Sequence, residues 1–324
     1  MDRDATSELG ERVRAAAAAS TPLELFGSGS KAFYGRPVRG ERFSLREHCG
    51  IIDYDPQELV LTARSGTPLA QIQALLGEHG QHLAFDPPHF GPHATLGGTI
   101  ACGIAGPARA SAGSARDFVL GVRVLTGSAE ALRFGGQVMK NVAGYDVARL
   151  MVGALGTLGV LLEVSMKVLP QPPSTMTLMF ALSAADAVAR MNDWALRPLP
   201  VSATCWLDGQ LRVRLSGSAA ALAEAHRRMG GQECAEDAAF WLSIREHTHP
   251  FFEGADDLWR LSVPPCSAPL DLPGRTLLEW GGAQRWLKVD ADAAMAHNIR
   301  RAVSAVGGHA TLFRGGDKGV GVFQ

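Results

Sequence analysis

The sequence predicts an α+β protein in two modules, and three observations point there. Short apolar strands interleave with glycine-rich loops through the N-terminal half. A plain alternation of strand and helix patterns fills the C-terminal half. Between them, Gln171-Pro172-Pro173-Ser174 breaks both patterns. The expected division is therefore a ligand-binding module over 1–173 and an α+β cap over 174–324. A chain of 324 residues suits two domains better than one.

The elements follow in order. Residues 6–19 read as a helix, with Thr6 or Ser7 as its N-cap. Leu23–Phe26 reads as a short buried strand running into Gly27-Ser28-Gly29-Ser30-Lys31, and Ile51–Tyr54 and Leu59–Ala63 as further strands. Pro68 is suited to start a helix over Leu69–Leu76, with Gly77 as its stop. Residues 77–98 form a long loop rich in His, Pro and Gly, and loops of that length usually carry function. Phe118–Leu125 and Glu130–Phe134 pair as a hairpin about Gly127. Over Gly159–Leu169, Val160, Leu162, Val164, Met166 and Val168 share one face, with Glu163, Ser165 and Lys167 on the other beside Leu161. Beyond the boundary, strands are expected at Thr177–Leu182, Val201–Leu207, Leu211–Leu215, Leu258–Val263, Trp286–Val289 and Ala310–Phe313. Helices are expected at Ala184–Leu196, Ser218–Met229, Ala238–His247 and Asp292–Val306, packed on one antiparallel sheet.

Composition narrows the function classes. With 46% hydrophobic and 19% charged residues, the chain has material for real cores. A net charge of −1 and the lack of a basic cluster argue against a nucleic-acid partner. The five cysteines form no C-x-x-C pair, which argues against a disulfide framework, a zinc site or an iron–sulfur cluster and suits a reducing cytoplasm. The acidic start around Ala15–Ala19 is no secretory signal. The uncharged stretches Pro87–Ala108 and Val168–Ala185 contain several prolines, so no direct membrane span is expected and any membrane contact would come through a partner.

The 37 glycines cluster in three loops. The first is Gly27-Ser28-Gly29-Ser30-Lys31, where a glycine turn after a strand can aim several backbone N–H groups at phosphate oxygens. An ordinary turn is the plainer reading of that loop alone, and the nicotinamide fingerprint lacks its third glycine and long helix. The second runs from Asp86-Pro87-Pro88 through Thr95-Leu96-Gly97-Gly98-Thr99 to Gly103 and Ser114. There Gly97 and Gly98 would bring bare backbone against a ligand at the start of a short helix over 98–104, a favourable place for pyrophosphate charge. Arg116 and Asp117 are expected to pair with each other and fix this loop. The third comprises Lys140-Asn141-Val142-Ala143-Gly144-Tyr145-Asp146 and Gly153-Ala154-Leu155-Gly156-Thr157-Leu158-Gly159-Val160, whose backbone could border a flat heterocycle. The structural alternatives are a core aromatic at Tyr145 and a helix N-cap at Asp146.

The three loops, in this order and spacing, resemble the PCMH-type FAD-binding domain of the vanillyl-alcohol-oxidase superfamily. Ser28–Arg36, Phe134–Leu150, Leu277–Lys288 and Gly307–Thr311 extend the resemblance over nearly the whole chain, to the E-type FAD-binding subunits of bacterial glycolate oxidases. The resemblance implies two α/β subdomains followed by a ferredoxin-like α+β cap. It implies FAD held by Ser28, Gly29, Ser30, Lys31, Pro88, Thr95, Gly97, Gly98, Thr99, Gly103 and Ser114, with Gly156, Gly159 and Val160 bordering the flavin or adenine. It implies an FAD-dependent oxidoreductase acting on CH–OH groups, oxidising glycolate, a small 2-hydroxy acid, to glyoxylate. The partners would be a related FAD-linked D-type subunit and an iron–sulfur subunit, with electrons leaving toward quinone. The place would be the cytoplasm, peripheral to the inner membrane through the complex.

Two departures from the family stand out. Ser30-Lys31-Ala32-Phe33 lacks the histidine that many relatives attach to FAD, so non-covalent binding is expected. Relatives also continue past the glycine-rich end, whereas this sequence stops at Val322-Phe323-Gln324, so a truncated tail is expected. Oxidising a hydroxy acid needs a cation for the carboxylate and a base for the hydroxyl proton. Arg285, His309, Arg314 and His249 are candidates, but no two form an acid–base constellation and no catalytic residue is assigned. Stacking between Trp280 and Trp286 is the structural alternative for Arg285. Two other readings share the fold: a non-catalytic assembly subunit, and an NADPH-fed reductase of a cell-wall precursor.

Overall fold

In the computed structural model, which describes residues 2–136, 144–234 and 237–324, backbone contacts divide the chain into two units. Unit 1 comprises Met1–Ala32, Pro37–Ala105 and Gly113–Gln171. Unit 2 comprises Phe33–Arg36, Gly106–Ala112 and Pro172–Gln324. Among the described residues no helix is long and apolar enough to cross a membrane.

Unit 1 opens with α1 (Thr6–Ala18), which buries Leu9 and Val13 against Phe43, Leu125, Val160 and Leu162. Its N-cap is Ala5 rather than Thr6 or Ser7. The Ala5 N–H is taken by His48 Nδ1 (3.1 Å) and the Thr6 N–H by Asp4 Oδ1 (2.9 Å), so the donors at the helix start are met from outside it. Strands β1 (Leu23–Phe26) and β2 (Glu41–Ser44) pair in parallel, and β1 is half-buried throughout.

The main sheet of unit 1 has the order β3-β4-β8-β6-β7, all antiparallel. Its strands are β3 (Ile51–Asp55), β4 (Val60–Arg64), β6 (Val119–Leu125), β7 (Ala131–Gly135) and β8 (Val160–Lys167), and β6–β7 is the expected hairpin. The alternating face of β8 is buried as read, but Glu163 on the other face is also only 5% exposed. Its carboxylate accepts from Arg123 Nη1 (2.8 Å) and Arg133 Nη2 (2.9 Å), which offsets the cost of taking it from water. Helix α2 (Leu69–Glu78) begins after Pro68 but runs through Gly77, and Gly80, at φ 63°, follows its end. β5 (Gln81–His82) pairs with β9 (Leu169–Pro170). α3 (Leu96–Cys102), α5 (Ala115–Phe118) and α6 (Val147–Leu150) complete unit 1, and α4 (Arg109–Ala112) lies in unit 2.

Unit 2 is one antiparallel sheet of eight strands in the order β13-β10-β12-β11-β15-β16-β14-β17. The strands are β10 (Ser174–Ala181), β11 (Val201–Leu207), β12 (Gln210–Gly217), β13 (Gln232–Glu233), β14 (Leu258–Ser262), β15 (Arg275–Glu279), β16 (Gln284–Lys288) and β17 (His309–Arg314). α7 (Ala184–Ala195) and α8 (Ala219–Met229) cover one half through Val188, Met191, Trp194, Leu222 and Met229. α10 (Ala293–Ala305) covers the other through Ala296, Ile299 and Val303, packed on Trp259, Leu261 and Leu312. α7, α8 and α10 carry side-chain N-caps at Ser183, Ser218 and Asp292. α9 (Asp237–Glu246) completes the helices among the described residues of unit 2.

Candidate functional site

The glycine loops of unit 1 converge. A Cβ on Gly27 would lie 2.6 Å from Thr95 Oγ1, so the first loop backs directly onto the second. A Cβ on Gly156 would lie 2.6 Å from Leu25 Cδ1, which ties the third loop to the strand before the first. One on Gly103 would meet the Gly153 backbone at 3.1 Å. Gly153 N and Leu155 N donate to the carbonyls of Ile100 (3.0 Å) and Ala101 (2.9 Å), so the third loop is hydrogen-bonded to α3. Lys31 is only 8% exposed, donates to His89 O (3.2 Å) and lies 5.7 Å from the Phe90 ring. Phe90 (φ 51°), Asp86 (φ 49°) and Leu155 (φ 52°) hold left-handed backbone without being glycine, a strain that collects at ligand sites.

Several sequence expectations take a different form here. Gly97 is packed against the protein rather than open to a ligand: its Cβ would meet Ser65 Cβ at 2.6 Å, and its N–H donates to Ser65 O (2.7 Å). Gly98 is the more open of the two, with only Thr95 Oγ1 nearby at 3.2 Å. The helix starts at Leu96 rather than 98, because Thr95 is its N-cap and accepts from Gly98 N (3.3 Å). Ser114 caps α5, with Asp117 accepting from Ser114 N and Oγ (2.8 Å each), while Arg116 donates to Val152 O (3.3 Å). The loop is thus fixed by a capping box, where an Arg116–Asp117 pair was expected. The Val160 side chain lies in the α1 core, so only its backbone is available to a ligand. The Thr99 hydroxyl is buried without a hydrogen-bond partner, as is that of Ser65. Asp146 is the N-cap of α6, accepting from Arg149 N (3.0 Å), and Tyr145 is 98% exposed instead of a core aromatic. Lys140, Asn141, Val142 and Ala143 lie outside the described residues.

Residues 4–135 match the family described as the FAD binding domain. Glycolate oxidase subunit GlcE of Escherichia coli (strain K12) is 50% identical over 316 residues, spanning 98% of this chain and 89% of that protein. The chain belongs to the GlcE family. Glycolate oxidase subunit GlcD of Bacillus subtilis (strain 168) is 32% identical over 171 residues, which cover 52% of this chain and 36% of that protein. The solved alkyldihydroxyacetonephosphate synthase superposes with a TM-score of 0.66 at 14% identity, over 93% of this chain and 69% of that one, and shows the fold alone. The GlcE-family chain thus carries the PCMH-type fold expected from the sequence, its cofactor is FAD, and it is a flavin-dependent oxidoreductase.

The cradle fits that cofactor on its own chemistry. A buried lysine, bare backbone at Gly98 and two strained turns meet within one set of loops, as a dinucleotide diphosphate requires. His89, Phe90 and Leu155 escaped sequence reasoning. The length of the 77–98 loop was the signal that could have found the first two.

In unit 2, the four candidates for chemistry separate. Arg285 is 1% exposed and gives its guanidinium to backbone: Nε to Gly282 O (3.1 Å), Nη1 to Ala268 O (2.7 Å) and Nη2 to Ser267 O. It clamps the 264–283 connection and is not available to a substrate. His249 is the N-cap of the 3-10 turn Pro250–Phe252, its Nδ1 accepting from Phe251 N (3.2 Å). Arg314 lies over the Phe33 ring at 4.5 Å. His309 lines an open cleft.

A buried acid beside that cleft gives a pH signature. Burial pushes the Glu279 carboxyl up to about 7, although Trp286 Nε1 (2.6 Å) and Gln284 Nε2 (3.1 Å) both donate to Oε2 and favour the ionised form. The folded state holds this proton more tightly than the unfolded chain, where the ordinary value is 4.5. The stability contribution is therefore complete below about pH 4.5 and is lost as pH rises through about 7. Glu279→Gln keeps an acceptor for both donors and removes the titration. Melting curves should show the wild type losing stability relative to this variant across that window, then running parallel to it. A gap that does not change with pH would mean that Glu279 titrates normally.

Proposed function

We propose that this chain is the FAD-binding subunit of a complex that oxidises glycolate to glyoxylate. It would work with a D-type flavin subunit and an iron–sulfur subunit that passes electrons toward quinone, at the cytoplasmic side of the inner membrane. The observation that carries the reading is the match to the Escherichia coli GlcE protein along 98% of the chain. The GlcD match supports a shared flavin fold between the two subunit types.

FAD, when bound, supplies the hydride acceptor for the CH–OH carbon. Ser28, Gly29, Ser30 and Lys31 would hold the diphosphate, with Pro88, Thr95, Gly98 and Thr99 continuing the cradle. Gly97 and Gly103 would shape it from behind by close packing. The Lys31 ammonium, fixed by His89 O, would supply positive charge. Ser114 would hold α5 in place, and Gly156, Gly159 and the Val160 backbone would border the ring system. With no histidine in the first loop, attachment would be non-covalent.

Anaerobic addition of glycolate to the purified chain should bleach the flavin bands if this subunit turns over substrate itself. Bleaching only after the D-type subunit is added would assign it a relay role. Native co-purification should yield flavin and iron in fixed ratio. A preparation that never holds flavin would overturn the reading in favour of a scaffold.

A further inference from the structure

Unit 2 contains a cleft of about 250 Å³ that none of the cradle residues line. Its floor is set by strand register: Arg260 pairs with Thr311 and Ser262 with His309. The intervening residues Trp259, Leu261, Ala310 and Leu312 point to the other side of the sheet, into the α10 core. Alternation therefore places a guanidinium, two hydroxyls and an imidazole together on the face away from α10. Tyr34 and Phe323 form the wall, with their rings 6.0 Å apart. Tyr34 is held there by Phe313 at 5.3 Å and by its neighbours, since Lys318 Nζ donates to the carbonyls of Phe33 (2.6 Å) and Gly35 (2.8 Å). Gln324 closes one end, where its Oε1 accepts from Ala310 N (2.9 Å).

The charge of this cleft has one sign. Among the described residues, no aspartate or glutamate lines it. Arg260 is held by a neutral group, with Nε donating to Gln284 Oε1 (2.9 Å), and Tyr34 lines the same cleft. A second guanidinium, Arg109, stacks on the same indole as Arg260, with distances to Trp280 of 4.5 and 5.4 Å. Two like charges drawn to one ring repel each other, so the surroundings of Arg260 are positive although Arg109 does not line the cleft. The Gln284 amide bonds both Arg260 and Glu279, and burial disfavours the charged form of Glu279 although nearby Arg260 favours it. Arg260 is thus oriented from behind by Gln284, which leaves donors of its planar fork for a ligand in the cleft.

We propose that this cleft binds a small carboxylate, with Arg260 as its cationic partner and the hydroxyls of Ser262, Thr311 and Tyr34 taking the ligand's other polar atoms. The volume lies below the roughly 300–1,000 Å³ of drug-sized sites, which suits a small ligand. One guanidinium among neutral hydroxyls matches a single negative charge better than a phosphate dianion. Hydroxyls that both donate and accept match the OH beside the carboxylate of a 2-hydroxy acid. That last identification rests on the proposed function; the carboxylate site rests on the cleft alone.

The test is titration calorimetry on the FAD-loaded full chain with glycolate, acetate and inorganic phosphate. Glycolate and acetate are expected to bind, and phosphate to bind more weakly than either. Arg260→Gln should weaken both carboxylates by about tenfold or more, and Arg260→Lys by less, because the charge stays and the fork is lost. Thr311→Val, on a strand whose partners it leaves intact, should weaken glycolate more than acetate, and it serves as the reporter if the Arg260 variants do not fold. Unchanged carboxylate affinity in Arg260→Gln with wild-type melting would overturn the site, and so would tighter binding of phosphate than of acetate. Glycolate that binds through Arg260 while the flavin stays oxidised even with the D-type subunit added would sink the proposed function and leave the site standing. Flavin reduced by glycolate at equal KM in wild type and Arg260→Gln would do the reverse.

Discussion

A valine at position 97 should leave the N-terminal unit unable to fold around flavin. The added carbon would sit 2.6 Å from Ser65 Cβ and 3.0 Å from Ser65 O, at the end of β4. Those atoms belong to main chain and a Cβ, so no side-chain rotation relieves the clash. The same movement would break the Gly97 N–Ser65 O hydrogen bond of 2.7 Å. Overpacking of this kind costs about 1–3 kcal/mol, and more where backbone must shift. Soluble yield and melting temperature should both fall, with no flavin absorbance in what remains. Gly98→Val is the informative contrast, since its only close neighbour is Thr95 Oγ1 at 3.2 Å. That variant should stay folded and lose flavin by obstruction of the cradle. Full flavin occupancy in both variants would show that FAD does not lie against this turn.

The second large effect is expected at Arg285. Alanine there removes the donors to Gly282 O, Ala268 O and Ser267 O and leaves a void where a 1%-exposed side chain stood. Losing charged hydrogen bonds and stranding carbonyls in the interior should cost roughly 3–5 kcal/mol, read as a shift in the denaturant midpoint. Arg285→Lys restores the charge with a different donor geometry and should recover only part of the loss. Wild-type stability in the alanine variant would mean that the clamp carries no load.

Much of the fold was legible where one element holds its own signal. Gly97 and Gly98 announced a short helix, read two residues late because the capping roles of Thr95 and Gly103 went unread, and Asp146 announced an N-cap, because capping is decided within four residues. β8 was legible because five apolar residues alternate without interruption. β2 was not: in Glu41-Arg42-Phe43-Ser44 only Phe43 is buried, and parallel pairing with β1 is what makes it a strand. β15 was missed because Leu277 and Leu278 are both buried, which erases period two, and because Glu279 follows as a buried acid. The role of Gly77 was misread because burial of Leu76 and the later turn at Gly80 override a weak local preference. Of the cradle, the loops were visible but not which face of each glycine was already filled by protein. The unit 2 cleft was invisible, since Tyr34, Arg260 and Thr311 come from distant parts of the chain and meet only through sheet register and the packing of Tyr34 on Phe313.

The backbone changes unit at 32/33, 36/37, 105/106, 112/113 and 171/172. During synthesis, Phe33 and Tyr34 leave the ribosome well before Phe313 and Lys318, which anchor them, the lysine following Phe33 by 285 residues. The stretch directly after Lys31 must wait through that interval before it reaches its native neighbours. A nascent chain stalled at Gln171 would present those aromatics to water, and scissors placed at that proline pair would yield two incomplete halves rather than two modules.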